Sequence, residues 1–345
     1  MGGTSAERDV SLASGLRVAE ALRARGHVVT VTDTARGVLT NAEENTLLAG
    51  GVMHLSPPEQ RTLVEMSGHG LPATVRAIPD RQDADVVFLG LHGGQGEDGT
   101  IQAILDLAGV PYTGSGHLAS ALAMDKDLSK KLFRAAGVPT PNWWMVHRTN
   151  PKTWRERAYT ANAIAALGLP LIVKPSKQGS TVGLSLVKSA DAVAPAIAEA
   201  FLYDDEVMLE CFVPGRELTV GILGDNMLPV GEIIPKHELY DYECKYTAGM
   251  AQEIFPADIT EAQRILAQEL ALVAFQSLKL SGYARIDFRM TADGTLYCLE
   301  ANTLPGMTEL SLIPQAAAAA GISFPELCER IVDLALRFRN SGEKK

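Results

Sequence analysis

The sequence predicts a mixed chain, α/β at its start and α+β further on, built in three successive parts. Three observations carry this. Strand, glycine turn and helix alternate through the first 114 residues, the pattern of a parallel sheet. A hydrophobic run ending in lysine, LGLPLIVKP, opens a small second unit. Beyond Glu206, short strands follow one another through PG, GD and DG turns, the pattern of an antiparallel meander. A length of 345 residues suits two or three such units, with boundaries at 1–114, 115–206 and 207–345.

In the first unit, apolar and small residues recur at helical spacing from Leu12 to Arg25 and stop at Gly26. HVVTVTD reads as a short strand. Residues 35 to about 82 are irregular, and the stretch from 40 to 80 has no assignable role. DADVVFLGLHGG is a buried strand entering a glycine turn, GEDGTIQAILDLAG a helix, and VPYTGSG a further strand. The second unit opens with one helix, ASALAMDKDLSKKLFRAAG, then the proline-rich VPTPNWWMV. The strand LGLPLIVKP, the loop and return strand QGSTVGLSLVKS, and the helix ADAVAPAIAEAFLY follow. The third unit has the strands EVMLECFV, RELTVGILGD and NMLPVGEII, a helix over 260–279, a hairpin, and two final helices.

Composition excludes several classes. The 46% hydrophobic and 21% charged content is that of a soluble globular protein. No apolar run approaches the roughly 20 residues of a membrane helix, and no basic leader precedes an apolar core. A cytoplasmic protein is expected. Cys211, Cys244, Cys298 and Cys328 lack CxxC spacing, which argues against zinc and for free thiols. A net charge of −10 argues against nucleic acid as a partner. An anionic ligand must be met by local basic residues.

The hairpin YARIDFRMTADGTLYCLEAN carries the sharpest chemical signal. With Asp293-Gly294 as a two-residue tip, Arg285 faces Asn302, Asp287 faces Glu300 and Arg289 faces Cys298. The other face carries Ala284, Ile286, Phe288, Met290, Tyr297, Leu299 and Ala301. Two carboxylates opposed across strands repel each other. A divalent cation reverses that, and oxygen donors suit Mg²⁺. Solvent-facing acids offset by Arg285 and Arg289 are the alternative reading.

Lys174 ends a buried LIV run, a costly place for a charge without a partner. Lys177 lies on a loop with Gly179, Ser180 and Gly183, where backbone N–H groups can approach phosphate oxygens. The Walker pattern is absent. Lys126 lies at a helix start. Glu97 and Asp98, in GGQGEDGT, read as caps of the following helix, and His92 as a packed histidine.

Taken together, GGTSAERDVSL, LHGGQGEDGTIQ, MDKDLSKKLF, VKPSKQGSTVG, YDYECKYTAG, ARIDF and LEANTLPGMTELSLIP resemble, in order, segments of the D-alanine–D-alanine ligase family of the ATP-grasp superfamily. The resemblance runs through nearly the whole chain. It implies that ATP phosphorylates the carboxylate of one D-alanine and that the amine of a second attacks the acyl phosphate. It implies that Asp287, Glu300 and Asn302 hold two Mg²⁺ or Mn²⁺ ions, and that Lys126, Lys174 and Lys245 meet the ATP phosphates. Glu210 would meet the adenine edge and Glu217 the ribose. Arg285 and the N–H of Gly306 would form the oxyanion site. Glu7 would pair with the first substrate's ammonium, linked through Ser180 to Tyr246. His92, Ser311 and Leu312 would lie beside the substrates. The resemblance also implies a homodimer, a lid near 236–250, and ATP held between the second and third units.

The resemblance associates a tyrosine at position 246 with a D-alanine acceptor, and a phenylalanine there with D-lactate. An ester-forming ligase, another ATP-grasp ligase and a non-catalytic ATP-binding protein are the alternatives. In the family a short apolar strand precedes GGTSAER. Here only Met1 does, so a start codon assigned too late is expected, with a true loss of that strand as the alternative.

Overall fold

The computed structural model describes residues 1–50, 84–148, 157–247 and 249–342. Much of the stretch from 40 to 80 lies outside the described residues. The helices are α1 (Arg8–Ala24), α2 (Asn41–Gly50), α3 (Thr100–Ala108), α4 (His117–Met124), α5 (Lys126–Ala135) and α6 (Arg157–Leu167). They continue as α7 (Val193–Ala200), α8 (Tyr242–Tyr246), α9 (Glu261–Ser277), α10 (Leu312–Ala319) and α11 (Phe324–Gly342).

The described N-terminal part holds less sheet than its sequence predicts. A two-residue strand, β1 (Thr32–Asp33), pairs antiparallel with β2 (Gly37–Val38). The parallel pairing expected between DADVVFLG and VPYTG is one bridge, Val87 to Tyr112. Val87 N–H donates to Pro111 O at 2.8 Å and Thr113 N–H to Val87 O at 3.0 Å. β-forming residues make a strand only where a neighbouring backbone completes the ladder. Beside β1 the described backbone neighbours are the two residues of β2 and, at Thr32 and Thr34, Met1, through Met1 N to Thr32 O at 2.9 Å and Thr34 N to Met1 O at 3.1 Å. Residues 28–31 form no strand of their own, although Val31 O accepts from Leu39 N–H at 2.9 Å.

The helix expected over MDKDLSKK is two helices. Asp125 is extended, and its carboxylate accepts from the N–H groups of Asp127 and Leu128, both at 3.0 Å. A short acidic side chain bonds its own backbone better at a cap than in a helix interior. The break makes Lys126 the first residue of α5.

The central sheet has the order β3-β6-β4-β5, from β3 (Trp143–His147), β4 (Leu171–Pro175), β5 (Ser185–Val187) and β6 (Glu206–Cys211). β6 was expected to open the C-terminal meander. It lies instead between β3 and β4, so this sheet runs past the 206/207 boundary. Val173, Leu209 and Val207 pack there on Val193 and Ile197 of α7.

The second sheet runs β10-β9-β7-β11-β12, with β8 (Asn226–Met227) beside β7 (Arg216–Leu223). The other strands are β9 (Gly231–Pro235), β10 (Ala251–Ile254), β11 (Tyr283–Met290) and β12 (Leu296–Asn302). Alternation divides its central strands. Leu218, Val220, Ile222, Ala284, Ile286 and Phe288 face a core shared with α9, α5 and α4. Glu217, Thr219, Arg285, Asp287 and Arg289 take the other face.

The hairpin register carries two offsets that cancel. Its loop has three residues, 292–294, with Thr291 N–H bonded to Thr295 O at 3.0 Å and Gly294 at φ +88°. Glycine alone adopts that φ without strain, the usual three-residue hairpin solution. The longer loop shifts the pairing by one, so Arg289 faces Tyr297 and not Cys298. A β-bulge after Asp287 then takes up Leu299 and restores the register. Asp287 faces Glu300 and Arg285 faces Asn302, as expected. Between loop and bulge, Cys298 and Leu296 face the core in place of Tyr297 and Leu299. Two backbone-mediated bonds pin Cys298 there: its N–H to Pro139 O, and its O from Thr140 Oγ1, both at 2.8 Å.

Candidate active site

Two adjoining cavities lie between the central sheet, the polar face of the second sheet and the loop over 236–250. They share Gly179, Ser180, Tyr240, Lys245 and Arg285. The smaller is lined by Glu7, His92, Glu97, Asn302, Gly306, Ser311 and Leu312. The larger is lined by Lys126, Lys174, Glu210, Glu217, Asp287, Arg289 and Glu300, with apolar walls at Ile172, Val182 and Leu299. Apart from Tyr246, every site residue implied by the family resemblance lines one of the two. Tyr246 closes α8, and its side chain lies outside the described residues.

The acid pair sits where the two strands bring it. Asp287 accepts from Thr219 Oγ1 at 2.7 Å, Asn302 Nδ2 at 2.9 Å and Arg285 Nη2 at 2.8 Å. Glu300 lies 3.4 Å from Lys126 Nζ. Burial pushes the Glu300 carboxyl up, but Lys126, Lys245, Lys174 and Arg285 outweigh it and leave it at about 2. Arg289 does not balance these acids, because it pairs with Glu217 at 3.2 Å.

Lys174 Nζ donates to Glu210 Oε1 at 2.8 Å, and Lys130 Nζ to Oε2 at 2.5 Å. Burial raises the Glu210 carboxyl, yet the two ammonium groups hold it below its ordinary range. The carboxylate expected at an adenine edge is thus already engaged by two cations. Lys174 has three N–H donors and spends one on Glu210. Lys130 was missed. Its signal was its position four residues after Lys126, on the same helix face. Lys126 Nζ donates to Gln178 O at 2.7 Å, which ties α5 to the loop after β4. Lys177, a candidate phosphate contact from the sequence, turns away to Glu206 at 2.9 Å.

In the smaller cavity Glu7 precedes α1 and accepts from Ser180 Oγ. Two glycines make room for it. A Cβ on Gly179 would lie 2.6 Å from Glu7 Oε2, and one on Gly93 2.7 Å. His92 is buried, and burial lowers its pKa, which leaves a neutral ring. Its Nδ1–H donates to Leu304 O at 2.8 Å, and Nε2 accepts from Ser14 Oγ at 2.9 Å. Ser14 in turn accepts from Met307 N–H at 3.1 Å. The histidine is therefore packed, as its sequence suggested. Its partners also anchor the 304–307 loop that carries Gly306. Ser311 caps α10 and accepts from Thr308 N–H at 3.0 Å, and a Cβ on Gly306 would strike its Oγ at 2.6 Å.

Glu97 does not cap a helix. Its Oε2 accepts from Gly93 N–H at 2.6 Å, while Asp98 bonds Thr100 N–H at 2.9 Å. Burial, then the neighbouring Glu7, push the Glu97 carboxyl from 4.5 to about 8. A folded-state pKa above the unfolded one favours folding at low pH, and that contribution drains away as pH rises from 4.5 to about 8. Glu97→Gln is expected to flatten the stability decline across that window. Urea midpoints at several pH values check it, and an unchanged slope would refute it.

Models of two families match the chain: "D-ala D-ala ligase N-terminus" over residues 1–115 and "D-ala D-ala ligase C-terminus" over 132–333. The chain belongs to the D-alanine–D-alanine ligase family. It is 41% identical to the D-alanine–D-alanine ligase of Geotalea uraniireducens over 335 residues, 97% of this chain and 94% of that one. The structure of the Coxiella burnetii D-alanine–D-alanine ligase superposes with a TM-score of 0.79 at 27% identity, over 100% of this chain and 94% of that one. The Bacillus anthracis ligase complexed with ATP gives 0.74 at 31%, over 99% and 97%.

Proposed function

We propose that this protein uses ATP to join two D-alanine molecules into D-alanyl-D-alanine, a peptidoglycan precursor. The observation that carries this reading is the meeting of two unlike chambers at Ser180, Lys245 and Arg285. One chamber offers lysines and an opposed acid pair beside an apolar slot, which suits a nucleotide. The other offers Glu7, a backbone loop and a helix start, which suits a small zwitterion.

The chemistry follows from those groups. A carboxylate is a poor electrophile, so a first D-alanine attacks the γ-phosphorus of ATP and becomes an acyl phosphate, with ADP released. Lys126, Lys174 and Lys245 offset phosphate charge, which lowers the cost of bringing an anionic nucleophile to an anionic centre. Glu7, held by Ser180, binds the ammonium of that substrate. The uncharged amine of a second D-alanine then attacks the acyl carbon. Arg285 and Gly306 N–H stabilise the oxyanion, phosphate leaves as the carbonyl re-forms, and the proton shed by the attacking nitrogen leaves with it. Water exclusion by the 236–250 loop protects the acyl phosphate.

Asp287, Glu300 and Asn302 form an oxygen donor set that fits two Mg²⁺ or Mn²⁺ ions. Thr219, Asn302 and Arg285 orient Asp287 as outer partners orient a metal ligand. Ions held by these residues would supply positive charge that offsets the phosphate charge. Glu210 and Glu217 line the nucleotide side, for adenine and ribose, and Ser311 and Leu312 the acceptor side. Tyr246 supports an amine acceptor over D-lactate. A cytoplasmic homodimer fits the same reading. Among the described residues no helix is long and apolar enough to cross a membrane.

The test is Mg²⁺-dependent ADP release with D-alanine, against L-alanine and against D-alanine plus D-lactate, with the product identified by mass. The expected product is the D-alanine dipeptide. ATP binding without D-alanine-dependent ADP release would refute the reading.

A further inference from the structure

The 236–250 loop carries three side chains that neither cavity uses. His237 follows β9 by two residues, Asp241 caps α8, and Cys244 lies within that helix. A ligand atom from each lies within 4.8 Å of the other two. His237 Nδ1 and Asp241 Oδ2 are 2.7 Å apart, and the other Asp241 oxygen accepts from Cys244 N–H at 2.9 Å. His237 and Asp241 are about 40% exposed, whereas Cys244 is buried beside Ile233, Tyr240 and Leu312. The group thus opens to solvent on one side and closes on the core on the other.

We propose that His237, Asp241 and Cys244 form a binding site for one borderline-soft divalent ion of the Zn²⁺ class, distinct from the oxygen site of Asp287 and Glu300. Imidazole, carboxylate and thiolate together suit Zn²⁺ or Co²⁺, and disfavour Mg²⁺, which takes hard oxygens. Three protein ligands leave a fourth position to water, on the exposed side. Tetrahedral zinc sites hold their ligands about 2.0–2.3 Å from the ion, so shifts on the order of 1 Å bring these three into place. The thiol must lose its proton on binding, and solvent reaches the site to accept it.

The cysteine spacing of the sequence argued against zinc because it lacks CxxC. That rule does not see a mixed set at positions i, i+4 and i+7, gathered by one helix start. The loop is closed at its neck by Lys236 N–H to Met250 O at 2.9 Å and by β9 pairing with β10. An ion joining His237 to Cys244 clamps α8 to the end of β9. Lys245, which lines both cavities, sits one residue beyond Cys244. Occupancy therefore holds the lid in place and slows turnover. Ion binding itself is independent of the ligase reading; only the effect on turnover rests on it.

Co²⁺ titration of the full chain, with Mg²⁺ in large excess, reads the site without turnover. One equivalent is expected to give tetrahedral visible bands and a thiolate-to-cobalt charge-transfer band in the near ultraviolet. Cys244→Ser should lose the charge-transfer band. His237→Asn, at an exposed position where folding is not at stake, should weaken binding by at least about tenfold, the loss that even a ligand's hydrogen-bond partner causes. A spectrum lacking the thiolate band in the wild-type protein, or one unchanged in both variants, would overturn the site. Stoichiometric Zn²⁺ should slow D-alanine-dependent ADP release in the wild-type protein and spare His237→Asn. Equal response of the two would overturn the clamp.

Discussion

Glu300→Gln is expected to lower kcat for D-alanine ligation by about 10²–10³-fold, the loss typical when one electrostatic group of an active site is removed. Glu300 is the carboxylate that four cations converge on: Lys126, Lys245, Lys174 and Arg285. It also faces Asp287 across the hairpin. The amide keeps the shape and removes the charge. What remains is a cluster of ammonium and guanidinium groups with one fewer anion, and a weakened donor set for divalent ions. The Mg²⁺ concentration for half-maximal rate should rise along with the fall in kcat. Steady-state kinetics across a Mg²⁺ series measure both, and far-ultraviolet circular dichroism checks that the fold is retained. A kcat within threefold of wild type would sink the assignment of Glu300 to the chemistry.

The second large effect is on stability. Glu210→Ala removes the one carboxylate that, among the described residues, bonds both Lys130 and Lys174, and Lys130 is 0% exposed. Breaking a buried ion pair by deleting one partner costs about 3–5 kcal/mol, because the remaining charge stays desolvated. Burial already draws the Lys130 ammonium down to about 8, with Glu210 the main influence holding it up. Adding Lys130→Met should recover part of the loss, since an apolar side chain of similar length suits the dry position. Urea denaturation of the single and double variants gives both numbers. A loss under 1 kcal/mol for Glu210→Ala would mean that water reaches the lysines.

Motif order sufficed to recognise the family, because its residues are bound to local geometry. LIVKP must be a buried strand with a charge at its end, and a DG tip with alternating residues must be a hairpin. Lys174 and the acid pair follow from those local rules alone. The register at Asp287 was foreseen correctly through two compensating offsets. The three-residue loop and the bulge at Leu299 depend on the 139–140 segment, which holds Cys298 from outside the hairpin. Periodicity within a strand carries no information about such a partner.

What the sequence by itself determined is the inventory: the acid pair, the lysine after β4, the glycine loops, and the order of the units. What only the tertiary structure decided is which charges meet. Glu97 reads as a helix cap and becomes a half-buried cavity acid beside Glu7. Lys177 reads as a phosphate contact and turns to Glu206, while Lys130, unremarked, holds Glu210. β6 leaves the meander for the central sheet, and the parallel pairing near Val87 shrinks to one bridge. The physical reason is common to all of these. Propensity and spacing act over a few residues, but desolvation and pairing depend on groups that lie far apart in the chain and are brought together only by packing.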